Sequence, residues 1–152
     1  MILRTATLDD SDLILRWANS DDCMRWKRLT KQSIGRSQHK IWFEKRLNSD
    51  DCYIWIVVED DIAVGQVRIE IQANSLVTDI YIEPKARGGG LARSAMDEAL
   101  KLIRAKTGTQ LEAVAVVHVE NLPSIKLFER LGFQNETASG DWLTLRQNAM
   151  GR

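Results

Sequence analysis

The chain has 152 residues, 44% hydrophobic and 28% charged, a size and mixture that suit one water-soluble domain with a single core. Lys plus Arg and Asp plus Glu both number 21, so there is no basic excess for a nucleic-acid backbone, although a small anion pocket stays open. No apolar run is long enough to span a bilayer, and "MILRTATLDDSDLIL" carries acidic residues where a signal peptide needs an apolar core.

In chain order, "ILRTA" reads as a short strand. Thr7 or Asp9 then caps a helix with Leu13, Ile14 and Trp17 on one side. Cys23 and Cys52 lack CxxC spacing and read as reduced thiols, with the cytoplasm as the expected location; His39 and His118 are too isolated for a metal site. "SQHKIWFEKRL" is a second helical segment. "CYIWIVVED" and "DIAVGQVRIEIQ" are rich in β-branched and aromatic residues and flank an acidic turn, so they form a hairpin. "SLVTDIYIE" is a further strand, closed by Pro84. A glycine run follows, then a helix of roughly four turns with Leu91, Ala95, Ala99 and Leu102 or Ile103 on its buried side.

"LEAVAVVHV" is a nearly continuous apolar strand, as expected when both faces are covered. "LPSIKLFERLGF" is a short helix with Pro123 in its first turn and Gly132 at its C-terminal cap, and "GDWLTLRQ" is a last strand paired with the one starting at Phe133. The two strands joined by the long helix lie parallel. The fold class is therefore α/β, a mixed sheet with helices on both faces and a ligand at the carboxyl ends of those two strands.

Gly88, Gly89 and Gly90 stand directly before a helix, where glycine costs conformational entropy. The first amides of a helix have no intrahelical partner and carry partial positive charge. Bare backbone there lets a phosphate approach closely, with Arg87 and Arg93 adding charge. A P-loop would end in Gly-Lys-Ser/Thr, whereas this loop ends Gly-Leu-Ala. A dinucleotide fingerprint would need glycine where Arg93 stands and would follow its strand directly.

"IYIEPKARGGGLA" resembles the acetyl-CoA-binding signature of the GNAT acetyltransferase superfamily, Arg/Gln-x-x-Gly-x-Gly/Ala, through Arg87, Gly90 and Ala92. "VHVENLPSIKLFERLGF" resembles its second motif through Asn121, Ser124, Phe128, Gly132 and Phe133. The resemblance covers nearly all of residues 1–152 as one N-acetyltransferase domain, with 1–75 the mainly substrate-side half and 76–133 the cofactor core. It implies a mostly antiparallel sheet splayed between two central parallel strands. It also implies acetyl-CoA as co-substrate, no metal, and transfer of an acetyl group to a primary amine.

The same resemblance implies that the pantetheine arm pairs with backbone of Ile80, Tyr81 and Ile82. The pyrophosphate would rest on amides from Arg87 through Gly88, Gly89, Gly90, Leu91 and Ala92 toward Arg93, with Asn121, Ser124 and Phe128 nearby. Asn121 also reads as a helix N-cap, and the two roles coexist. Acetyl transfer needs a neutral amine, stabilisation of an oxyanion and a proton for the thiolate. The tyrosine that many members use as the acid is Phe128 here. The positions of strand glutamates are Leu76 and Val116, which accept no proton. Asp79, on one strand face with Tyr81, and His39 remain as candidate bases.

"LRWANSDDCMRW" and "HKIWF" resemble a bacterial subgroup that includes acetyltransferases of nucleotide-linked 4-amino sugars, through Trp17, Asn19, Arg25, His39, Trp42 and Phe43. An aromatic floor suits a sugar or base, and Arg25 suits a diphosphate. The same aromatics equally fill a core. Relatives that acetylate ribosomal-protein N-termini or aminoglycosides share part of this pattern, so those acceptors stay open, as do a homodimer and a non-catalytic acyl-CoA-binding module.

Overall fold

The computed structural model describes residues 1–26, 33–108 and 111–148. Its elements are β1 (Ile2–Thr5), α1 (Ser11–Ala18), α2 (Asp21–Arg25), α3 (Arg36–Leu47), β2 (Cys52–Glu59), β3 (Ile62–Gln72), β4 (Ser75–Ile82), α4 (Leu91–Thr107), β5 (Glu112–His118), α5 (Leu122–Arg130), β6 (Gln134–Ser139) and β7 (Trp142–Gln147). The strands form one sheet in the order β1-β2-β3-β4-β5-β7-β6. Only β4 and β5 are parallel. Every other neighbouring pair is antiparallel, which makes the sheet mixed and mostly antiparallel, as the sequence predicts.

The turns explain the hairpins. Asp60 and Asp61 (φ 51° and 65°) join β2 to β3, and Ala73 and Asn74 (φ 47° and 66°) join β3 to β4. Two successive positive φ values match the right-handed twist of the flanking strands. Two cores then clamp the sheet. On one face α4 buries Ala95, Met96, Ala99, Leu100 and Ile103 against residues such as Val67, Ile69, Leu76 and Ala115, while Leu102 stays on the outside. On the other face α1 and α3 bury Ile14, Trp17 and Phe43 against Ile54 and Ile56. Those helices serve the β1–β2 side of the face. Val116, in the middle of β5, is consequently 36% exposed, so the apolar run of β5 is not covered on both faces.

The start of α1 differs from expectation. A short 3₁₀ turn, Leu8–Asp10, precedes it with Thr7, one of the two expected caps, at its N-cap, and the capping carboxylate belongs to Asp10 rather than Asp9. Asp10 accepts the Thr7 N–H at 2.8 Å and is held by both guanidinium nitrogens of Arg4 at 2.8 and 2.9 Å. The Arg4 hydrogen bonds, with help from Thr7 and the Arg4 charge, hold the buried Asp10 carboxyl below its usual range although burial opposes them. A depressed carboxylate stabilises the fold above its unfolded pKa, and that stabilisation is lost as pH falls through the folded value. Arg4→Ala should therefore lower urea-unfolding stability by about 2 kcal/mol at neutral pH. The two stability curves should converge as pH drops below about 4. A pH-independent gap would contradict this account.

Candidate active site

The site begins where the two parallel strands part. β4 and β5 pair only at Ser75–Glu112, Leu76–Ala113 and Val77–Val114, although β4 runs on to Ile82 and β5 to His118. The buried Thr78 hydroxyl ties the vertex, donating to the Val114 carbonyl at 3.0 Å. In an antiparallel ladder successive residues turn their backbone groups to opposite sides. The Glu83 N–H bonds the Val64 carbonyl of β3 at 2.8 Å, which sets the phase. Asp79 and Tyr81 thus spend their backbone on β3, and Ile80 and Ile82 turn theirs into the gap. Within Ile80–Ile82, Tyr81 has its backbone on β3 and its side chain on the sheet face packed by α1.

At the open end of the gap stands the glycine loop. Gly88 and Gly90 have φ of 93° and 80°, values that favour glycine whatever the surroundings. Gly89 has no such φ, and a Cβ on any of the three would meet nothing within 4 Å. The fold accounts for Gly88 and Gly90; at Gly89 it demands no missing side chain, so the bareness there suits an outside group. A groove of about 450 Å³ opens beside it, lined by Gly89, Gly90, Arg93, Ser94, Asp97 and Arg130. Two guanidiniums against one carboxylate, next to the first amides of α4, give the groove a chemistry suited to an anion. Arg130 is absent from the sequence-based set because only folding brings the end of α5 to the start of α4.

Arg87 departs from expectation. Its Nε donates to the Ile82 carbonyl at 2.7 Å, its terminal nitrogens grip Asp22 of α2, and it lies 5.5 Å from the Tyr81 ring centre. The side chain is committed to the strand end and to α2, so the groove's charge comes from Arg93 and Arg130. Ala92 and Leu91, partly buried, pack on the α4 core. Asn121 caps α5, accepting the Ser124 N–H at 3.4 Å. Phe128 is buried and meets Phe133 edge-on at 5.0 Å, so its ring is part of the core.

The expected acceptor residues do not converge on one pocket. Trp17 is buried with its Nε1–H on Glu83 at 2.7 Å and its ring 6.0 Å from Tyr81. Asn19 clasps the Ile34 backbone through both amide atoms, at 2.9 and 3.0 Å. His39 is 2% exposed, with Nδ1 3.4 Å from the Ser11 hydroxyl and its ring stacked on Phe43, one helical turn on. A ring so enclosed offers no base to a substrate. Trp42 lies between the guanidiniums of Arg46 and Arg68, at 5.5 and 5.4 Å. Asp79, the other candidate base, is exposed and 3.6 Å from Arg68. Arg25 sits 4.7 Å over the Trp26 ring, which leads to His118 at 5.2 Å and onward to Trp142 at 5.0 Å. Both cysteines are reduced, and burial above all pushes the Cys52 thiol up to about 11.

Among the described residues no group of three His, Cys, Asp or Glu is placed to hold a metal ion, and no helix is long and apolar enough to cross a membrane.

The acetyltransferase (GNAT) domain family matches residues 1–134. No curated protein gives a significant sequence match. Among solved structures, a domain from Methanocaldococcus jannaschii superposes with a TM-score of 0.84 at 23% identity, covering 97% of each chain. A spermidine N-acetyltransferase from Vibrio cholerae in complex with CoA and spermine gives 0.79 at 21% identity, covering 95% of this chain and 92% of that one. A ribosomal-protein-alanine N-acetyltransferase from Brucella melitensis gives 0.80 at 20%, covering 97% and 99%.

Proposed function

The chain belongs to the GNAT acetyltransferase family, and from that premise we propose that it moves the acetyl group of acetyl-CoA to a primary amine of a small molecule. The observation that carries this reading is the parting of β4 from β5 directly beside a loop kept bare at Gly89. The residues fit the co-substrate. Amides from Gly88 to Ala92, with Arg93 and Arg130, would hold the pyrophosphate. The Ile80 backbone, turned into the gap, would hold the arm, and Asn121 and Ser124 flank it from the start of α5. When bound, acetyl-CoA supplies an activated acyl group.

For the proton steps, Asp79 is the carboxylate beside the gap, and its contact with Arg68 keeps it oriented. Phe128 donates no proton, so water or the substrate ammonium serves as the acid. A nucleotide-linked 4-amino sugar is the acceptor we favour, on the aromatic and arginine residues of the open sheet face. Purified protein mixed with acetyl-CoA and a panel of amino sugars, polyamines, aminoglycosides and peptides should release free thiol with one of them. One observation favours a second reading, a non-catalytic acyl-CoA module: the ring at the family's acid position is locked into the core. Tight acetyl-CoA binding with silence across the panel would select it.

A further inference from the structure

Register continuity across the gap sets a pair of residues face to face. Extending the Ser75–Glu112, Leu76–Ala113 and Val77–Val114 rungs along both strands brings Tyr81 opposite His118. Each is turned to the sheet face away from α4. Tyr81 leans on Trp17 of α1, and His118 packs between Trp26 at the end of α2 and Trp142 of β7. His118 therefore stands on the β5 bank of the gap, at its open end, on the sheet face away from α4.

Its ring is fixed in a way that defines its chemistry. The Glu120 backbone N–H donates to His118 Nδ1 at 3.1 Å. That bond needs the Nδ1 lone pair, so the neutral ring carries its proton on Nε2. Nε2–H is then an oriented donor that meets no acceptor among the described residues. It is suited to hold an oxygen atom and ill suited to take a proton from an amine.

The surroundings select among amines. Strand carboxylates on this face are already matched by arginine: Asp79 with Arg68 at 3.6 Å, Glu83 with Arg16 at 3.3 Å, and Glu112 with Arg146. A polycation would have to compete with those arginines for the same carboxylates. A flat ring finds indole surface at Trp142 beside His118, and an anionic group finds the Nε2–H and the positive charge of Arg25 stacked on Trp26.

We infer that Trp26, His118 and Trp142 form the acceptor-recognition wall, with His118 hydrogen-bonding an oxygen of a flat, anionic group such as a nucleotide diphosphate attached to the amine. This rests on the acetyltransferase reading above. It excludes linear polyamines as the preferred acceptor.

The test uses the full chain saturated with CoA, so that added nucleotide cannot enter the pyrophosphate groove. UDP and, separately, spermidine are titrated by calorimetry, with tryptophan fluorescence as a second signal. UDP is expected to bind and spermidine to show no heat at concentrations that saturate with UDP. His118→Phe keeps a flat ring without the donor and should weaken UDP at least tenfold, with unchanged CoA affinity and melting temperature. His118→Gln returns an N–H donor and should recover part of the loss; if His118→Phe proves unstable, His118→Gln against Trp142→Leu carries the comparison. Spermidine binding as well as UDP, UDP affinity indifferent to His118→Phe, or no UDP binding to protein that takes up CoA would each overturn the wall. Failure of the wild-type chain to bind acetyl-CoA would instead overturn the parent reading.

Discussion

Gly89→Glu should weaken CoA binding on the order of a hundredfold while the melting temperature stays within a degree or two of wild type. The two halves of that expectation come from separate observations. Gly89 has no positive φ, and a Cβ built on it meets nothing within 4 Å, so a side chain there strains neither backbone nor packing. Yet it stands at the lip of the groove lined by Arg93, Ser94 and Arg130. A carboxylate in that position would fill the approach to the first amides of α4 and set negative charge against a pyrophosphate. Like charges a few ångströms apart at a protein surface repel by about 3 kcal/mol or more, on the order of a hundredfold in affinity. Gly89→Lys separates bulk from sign: similar volume with opposite charge should retain much of the binding. Gly90→Glu would be a poorer probe, because φ of 80° there adds strain of its own. Wild-type affinity in Gly89→Glu by calorimetry would mean that the loop is not the cradle.

The parts of this arrangement that a sequence reveals are those set by neighbours along the chain. β-Branched and aromatic runs flanking an acidic turn mark the β2–β3 hairpin, and helical periodicity marks the buried face of α4 down to Ile103. What escapes is decided by partners distant in sequence. The parting of β5 from β4 is implied by the family resemblance, but nothing in "LEAVAVVHV" itself says that it comes after Val114, where the Thr78 hydroxyl donates to the Val114 carbonyl across two strands separated by a helix. Arg87 beside three glycines reads as a phosphate ligand until Asp22, on a helix too short to be expected, takes its guanidinium. His39 and Phe43 lie one turn apart, and that spacing serves a stacked core pair as well as a binding floor. Trp17 could be sorted only by finding Glu83. His118, by contrast, looked isolated because its aromatic neighbours come from α2 and β7.

Gly65→Ala should damage the site and the fold together. Gly65 of β3 lies opposite Ile82 of β4. A Cβ on it would fall 2.2 Å from the Tyr81 carbonyl oxygen, 2.7 Å from Ile82 Cδ1 and 3.0 Å from Ile82 Cα. Two of those atoms are backbone, held in a ladder and by the Glu83-to-Val64 bond, so no rotamer change relieves the contact. The strands must separate locally, at a cost near the upper end of overpacking, about 3 kcal/mol, which lowers the melting temperature by roughly 6–12 °C. The displaced residues border the gap proposed to hold the cofactor arm. Tyr81 and Ile82 can yield only toward the gap, and Ile82 takes with it the carbonyl that anchors Arg87. Acetyl-CoA affinity measured below the transition should therefore fall about tenfold, a loss of some 1.4 kcal/mol beyond the stability effect. Gly35→Ala is the matched control: a Cβ there meets nothing within 4 Å, and stability should change by less than about 0.5 kcal/mol. If Gly65→Ala melts and binds like wild type, β3 does not press on the end of β4 as this register requires. The positioning of Ile80 at the gap would then fail with it.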